Sequence, residues 1–211
     1  MKFHNVEQGS EEWFDLRKGK FTASTFKDLF AAKTTKAYEK AIYQVVFERL
    51  TGESPENFVS EYMERGKELE SEAIERYEMM TFNKVLSGGF AELNEWVGCS
   101  PDGWLDNGEQ LLEVKCPAFN TMINYLLDKK LPKIYEKQVQ GQLYVTGAEW
   151  CDFMCYHPKL KPLIIRVERD EEMISKLEKG LAEFIEDMDL ALNKLGLKWG
   201  DQWALNGQQI S

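Results

Sequence analysis

Three side chains between Cys99 and Pro117 have the types and spacing for hydrolytic chemistry: Asp102, Glu113 and Lys115. Asp102 stands in a Pro-Asp-Gly turn, and after ten intervening residues comes Glu113-Val114-Lys115 inside the apolar run that starts at Leu111. That run reads as a buried strand, bounded upstream by the turn formers Asp106-Asn107-Gly108. Side chains alternate along a strand, so Glu113 and Lys115 share one face and Val114 takes the other. Taken singly, a Pro-Asp-Gly is an ordinary turn, and a Glu-x-Lys is an ordinary same-face ion pair. Together they put two charges on a buried face, and these need compensation. A divalent cation compensates Glu113, with Asp102 arriving from the preceding hairpin as a second carboxylate. The oxygen donors suit Mg²⁺, which keeps waters for chemistry.

Composition sets the limits. With 211 residues, 43% of them hydrophobic, the chain suits one large domain with a full core. No apolar run approaches the ~20 residues of a membrane span, and residues 1–7 lack an apolar signal region. Cys99, Cys116, Cys151 and Cys155 form no C-x-x-C pair, and the chain has two histidines. This argues against a zinc site or a disulfide framework and for reduced thiols in a cytoplasm. The net charge of −10 opposes non-specific nucleic-acid binding through an open basic face. It leaves room for basic groups that line one groove.

Several elements must position the candidate residues. Ser10 starts a short helix that carries Trp13 and ends near Gly19, with Arg17 in its last turn. Thr22 or Ser24 then caps a second helix, where a hydroxyl and free helix N–H groups can face an anion. A third helix spans 38–50, preceded and entered by Lys33, Lys36 and Lys40, a cluster able to touch a phosphate backbone. A long helix over 60–82 presents Tyr62, Gly66, Leu69, Ala73, Tyr77 and Met80 as its buried stripe, with Glu70 at the edge. Short strands at 84–87, 89–93 and 96–99 lead into Asp102. Helices over 120–127 and 134–145 follow; the second buries Tyr135, Val139 and Leu143 and carries its glutamines as surface formers. Strands at 150–157 and 163–168 precede a helix over 171–195 capped by Asp170. Trp199 and Trp203 in the tail either dock or mark a subunit contact.

The order is helix with Glu70, antiparallel strands, Pro101-Asp102, Glu113-Val114-Lys115, then a glutamine-bearing helix. It resembles the restriction-endonuclease-like core of metal-dependent nucleases, and within it the phage lambda exonuclease family of viral recombination nucleases. The likeness is carried by 16–24 (LRKGKFTAS), 66–70 (GKELE), 99–103 (CSPDG), 112–117 (LEVKCP), 138–140 (QVQ), 167–171 (VERDE) running on to 184–186, and 200–203 (GDQW).

The resemblance implies an α/β (α+β) fold, a central mixed β-sheet flanked by helices. It implies one nuclease domain over 1–211: a helical part to about 82, a catalytic core over about 60–195 and a tail over 196–211. Asp102, Glu113 and the Val114 carbonyl would hold two Mg²⁺ ions, with Mn²⁺ as a substitute, and Glu70 would support them through water. Lys115 would polarise the attacking water, Gln140 would position it, and Arg17, Ser24 and Ser100 would bind a terminal 5′-phosphate. The implied activity is 5′-to-3′ degradation of duplex DNA to mononucleotides, by a homotrimeric ring that hands the exposed strand to an annealing protein. A related endonuclease shares the metal residues without needing the phosphate pocket. An inert end-binding module has no physical reason to keep the buried carboxylates together.

Overall fold

The computed structural model describes residues 1–53, 61–198, 202–203 and 209–210, without the side chains of 61–68, 107, 202–203 and 209–210. Its centre is a five-stranded mixed sheet in the order β3 (Leu86–Ser87), β6 (Gly103–Leu105), β7 (Gln110–Lys115), β8 (Trp150–Cys155), β9 (Leu163–Glu168). β7 and β8 are parallel and the other pairs antiparallel. Parallel neighbours need a long crossover. Here it carries α4 (Phe119–Asp128) and α5 (Lys133–Thr146).

A second, four-stranded sheet runs β1 (Lys2–His4), β4 (Phe90–Glu92), β5 (Val97–Cys99), β2 (Phe21–Thr22). The segment Ser100-Pro101-Asp102 passes from β5 in this sheet to β6 in the other.

β7 is buried on both faces, and the two faces feed different cores. Leu111 joins Phe26, Val139, Leu143, Leu181 and Phe184, from α5, α6 (Glu171–Lys194) and the 3₁₀ segment Ala23–Phe30. Leu112 and Val114 pack with Ala73 and Tyr77 of α3 (Glu61–Thr81). Helices thus cover both faces, as the resemblance implied.

The caps expected at Ser10 and Asp170 are present: Ser10 accepts from the Trp13 N–H and Asp170 from the Met173 N–H. The second helix is a 3₁₀ segment; Thr22 precedes it without a side-chain cap bond. α2 (Lys36–Thr51) starts a little earlier than expected, because the Thr35 hydroxyl accepts from Tyr38. Lys33 pairs with Asp187 at 2.8 Å and Glu183 at 3.4 Å on α6, so it is engaged within the fold.

The stripe on α3 holds at Ala73 and Tyr77, but Met80 is exposed, in a last turn that extends past the core cluster. Tyr62 and Gly66 fall outside the described side chains, and Trp199 outside the described residues. Among the described residues, no helix is long and apolar enough to cross a membrane.

Candidate active site

The β6–β7 hairpin positions the acids. Its register pairs Gly103 with Leu112, so one further step sets Asp102 opposite Glu113. The ladder ends there, and the Val114 N–H donates to Asp102 Oδ2 at 2.7 Å in place of a strand partner. The N–H and C=O of a strand residue project to the same edge, so the Val114 carbonyl faces the Asp102 side.

Glu113 is almost wholly buried, at 1% exposure. Lys115 folds back onto its Oε1, which also receives Gln138 Nε2 at 2.5 Å, while Oε2 receives Gln142 Nε2 at 2.6 Å. Glu113 is therefore compensated by an ammonium and two amides of the chain itself, where the sequence pointed to a divalent cation.

The electrostatics are lopsided. Burial, and then the Glu113 charge, push the Asp102 carboxyl well above the usual range. Glu70 pushes the same way, against Lys115 and the Val114 N–H. Burial works against the Lys115 ammonium, yet Glu113 and Asp102 outweigh it and hold it above the usual lysine range. Three carboxyl groups thus face one ammonium, an acidic excess. The donors are all oxygens, which fits a hard divalent cation held by Asp102, Glu113, the Val114 carbonyl and Glu70. Among the described residues, no three acidic, imidazole or thiol side chains close into a ready-made cage.

Two residues back along the chain from Asp102, at Ser100, lies the opposite environment. Gly19, at φ +64°, turns the chain from α1 (Glu11–Arg17) into β2. β2 runs parallel to β5, with Thr22 beside Gly98. That pairing brings Arg17, Thr22 and Ser24 to the end of β5, where Ser100 sits. Arg17 Nη1 donates to Ser100 Oγ at 3.0 Å and Nη2 to Thr22 Oγ1 at 3.4 Å; Thr22 Oγ1 lies 3.2 Å from Ser24 Oγ. The Trp13 indole also donates to Ser100 Oγ, at 2.9 Å, and the guanidinium lies 4.2 Å from that ring.

Burial pulls Arg17 down to about 10, against the opposite pull of Cys99 and Glu48, so it stays charged at neutral pH. Its hydrogen-bond partners among the described residues are hydroxyls, with no carboxylate among them. A hydroxyl has two acceptor sites and one donor. Trp13 and Arg17 fill the acceptor sites of Ser100, which leaves its proton to donate to an anion.

Of the residues singled out in the sequence, the structure gathers Asp102, Glu113, Lys115 and Glu70 into one group, and Arg17, Ser24 and Ser100 into another. Gln140 is in neither. Its Nε2 donates to the Glu168 carbonyl at 2.8 Å and its Oε1 accepts from the Asp170 N–H at 2.9 Å, so it ties α5 to the β9–α6 junction. Residues two apart on a helix point to nearly opposite sides, whereas residues four apart share a face. Gln138 and Gln142, one turn apart, therefore face Glu113, and that spacing was the signal for them. The expectation that the glutamines form surface fails for the same reason: Gln140 is 5% and Gln142 1% exposed. Gln142 Oε1 accepts no hydrogen bond from any described residue. Thr22 and Trp13 are further residues of the hydroxyl pocket that the sequence left in supporting roles.

A mixed sheet whose central hairpin presents Asp102 and Glu113-Val114-Lys115, with a helix-borne glutamate beside them, defines the restriction-endonuclease-like class of fold. Within it, the chain belongs to the YqaJ-like viral recombinase domain family, whose model matches residues 12–149 and so spans both groups of side chains. The alkaline exonuclease LHK-Exo of Laribacter hongkongensis is 32% identical, with a TM-score of 0.81 over 89% of this chain and 96% of that one. The same enzyme in complex with dAMP matches over 88% and 96%. A phage-related exonuclease of Haemophilus somnus 129PT shares the fold at 16% identity, with a TM-score of 0.65 over 83% and 96%. ExoD, a protein of Escherichia coli strain K12, is 35% identical over 72 residues, which is 33% of this chain and 83% of ExoD.

Proposed function

We propose that this chain is a Mg²⁺-dependent exonuclease that degrades one strand of duplex DNA from a 5′-phosphorylated end, releasing 5′-mononucleotides. The observation that carries the reading is that one three-residue segment joins the two charge environments. Ser100 belongs to the arginine–hydroxyl pocket and Asp102 to the carboxylate group, and only Pro101 separates them. A pocket for a terminal anion beside a hydrolytic centre fixes cleavage at a short distance from an end. The names of LHK-Exo and the phage-related exonuclease support the same class of activity.

Each residue then has a role that follows from its surroundings. Arg17 offers a planar pair of donors to phosphate oxygens, and Ser100 and Ser24 add hydroxyl donors. Lys115, as an ammonium, orients the attacking water and offsets charge on the scissile phosphate. Glu113 holds Lys115 in place, and Gln138 fixes Glu113. Asp102, Glu113, the Val114 carbonyl and Glu70 would hold a divalent ion, which would supply a lowered water pKa and offset developing charge. We read residues 1–211 as one nuclease domain that assembles as a homotrimeric ring, acts in the cytoplasm and passes the 3′ overhang to a single-strand annealing protein.

The test uses linear duplex with and without a 5′-phosphate, and closed circular duplex, in Mg²⁺. Mononucleotides released preferentially from phosphorylated ends agree with the reading. Cutting of closed circles makes the chain an endonuclease, and binding of ends without hydrolysis makes it an end-binding module.

A further inference from the structure

We propose that Gln142 is a positioning residue that couples a filled phosphate pocket to the Glu113 carboxylate, so that an end-bound phosphate speeds the chemical step as well as binding. The inference rests on the terminal-phosphate reading of the Arg17 pocket and goes beyond it.

Gln142 touches both halves of the site. Its Nε2 donates to Glu113 Oε2 at 2.6 Å and reaches the Ser100 carbonyl at 3.5 Å, the limit of a hydrogen bond. Ser100 carries the hydroxyl that accepts from Arg17 and Trp13. A continuous path therefore runs from Arg17 through Ser100 and Gln142 to Glu113. The amide orientation is set by Glu113, since the flipped form would set an oxygen against the carboxylate. That orientation leaves Oε1 buried and bare. A glutamine present only to serve Glu113 needs neither the second contact nor a bare acceptor, and Gln138 already serves Glu113 at 2.5 Å.

The two ends of the path are held differently: Gln142 by helix packing, Ser100 by hydrogen bonds to its hydroxyl. α5 lies against the 3₁₀ segment so closely that a Cβ on Gly141 would come within 2.4 Å of the Phe26 ring. Leu143, on the other side of Gln142, is fully buried in the core. Gln142 thus hangs from a closely packed stretch of helix. Ser100 lies in the link between β5 and β6 and carries an unclaimed hydroxyl proton. A phosphate that takes this proton and the Arg17 donors draws on Ser100, and the long Gln142–Ser100 contact responds. The Nε2 grip on Glu113 changes with it. Binding free energies coupled in this way are reciprocal: whatever the phosphate does for the carboxylate centre, the filled centre does for the phosphate.

The experiment measures steady-state kinetics on matched duplexes with 5′-phosphate or 5′-hydroxyl ends, for the wild type, Gln142→Met, Gln142→Asn and Arg17→Ala. For the wild type, the phosphate should improve both kcat and KM. Gln142→Met should keep the effect on KM and lose about tenfold of the kcat advantage, the scale of one hydrogen bond to a charged group. Arg17→Ala should lose the KM effect. Calorimetry with 5′-dAMP, with and without Ca²⁺, reads the coupling without turnover. The ion should change the wild-type 5′-dAMP affinity several-fold, and should leave it unchanged in both Gln142 variants. A kcat advantage kept in full by Gln142→Met and Gln142→Asn overturns the inference, as does an ion effect on 5′-dAMP kept in both. A wild type indifferent to the 5′-phosphate removes the pocket reading, and this inference with it.

Discussion

The two halves of the site meet across one residue, Pro101, and hold opposite charge. On one side of Pro101, Asp102, Glu113 and Glu70 face a single ammonium, and Asp102 is pushed well above the usual carboxylate range. On the other, Arg17 sits among hydroxyls and an indole, with no carboxylate among its hydrogen-bond partners in the described residues. Ion pairs elsewhere in the chain, such as Lys33 with Asp187 or Arg166 with Asp152, are closed within the fold. The comparison teaches that unbalanced charge, rather than charge as such, marks where ligands go. One half calls for cations and the other for an anion. The chain's −10 leaves that local positive excess intact.

The strongest way to break the comparison is to remove the ammonium. Lys115→Ala should lower turnover by about 10³-fold while duplex binding persists, the range for loss of a preorganised donor. Near-normal turnover in a filter-binding-competent variant would take Lys115 out of the chemistry.

On the cationic side, Arg17→Ala should cost about 10–100-fold in preference for phosphorylated ends, the range for hydrogen bonds to a charged group. Competition between labelled phosphorylated and unphosphorylated duplexes measures this. An unchanged preference would detach Arg17 from end recognition.

The glutamines sharpen the boundary. Gln138→Leu should lower kcat about tenfold, since Glu113 loses one of its three donors. Gln140→Leu should instead lower stability by about 1–3 kcal/mol, because the Glu168 carbonyl and the Asp170 N–H lose their buried partner, with kcat retained. Urea unfolding beside single-turnover rates separates the two. Equal loss of kcat in both variants would return Gln140 to the site.

The smallest effect is in pH. A carboxyl whose folded pKa is raised favours the protonated folded state. The stability it lends is full below its unfolded value near 4 and is lost as pH rises through the folded value. Ion-free protein should therefore lose stability relative to Asp102→Asn as pH rises above about 4, and Mg²⁺ should flatten that slope. Identical melting profiles of the two proteins without metal would contradict the charge imbalance.

How much could be read without coordinates differs by residue. Alternation placed Glu113 and Lys115 on one face of β7, because a strand's period is fixed by its backbone. Ser10 and Asp170 announced their helices, because a cap acts within three residues. Glu70 stood out only as an edge position on α3. The Gln138–Gln142 face was present as a one-turn spacing, but nothing in the chain said which side of α5 met the sheet. That choice depends on Gly141 seating the helix against Phe26.

Local sequence determined the charges, the strand faces, the caps and the hairpin that sets Asp102 against Glu113, since each of these acts through neighbours a few residues apart. The tertiary structure alone decided that Arg17 meets Ser100, that two amides join Lys115 on Glu113, and that Gln140 ties down a junction instead. Those contacts join residues 25 to 83 positions apart, or depend on which side of a helix packs inward. Only the packing of two sheets and α5 around one short link determines either.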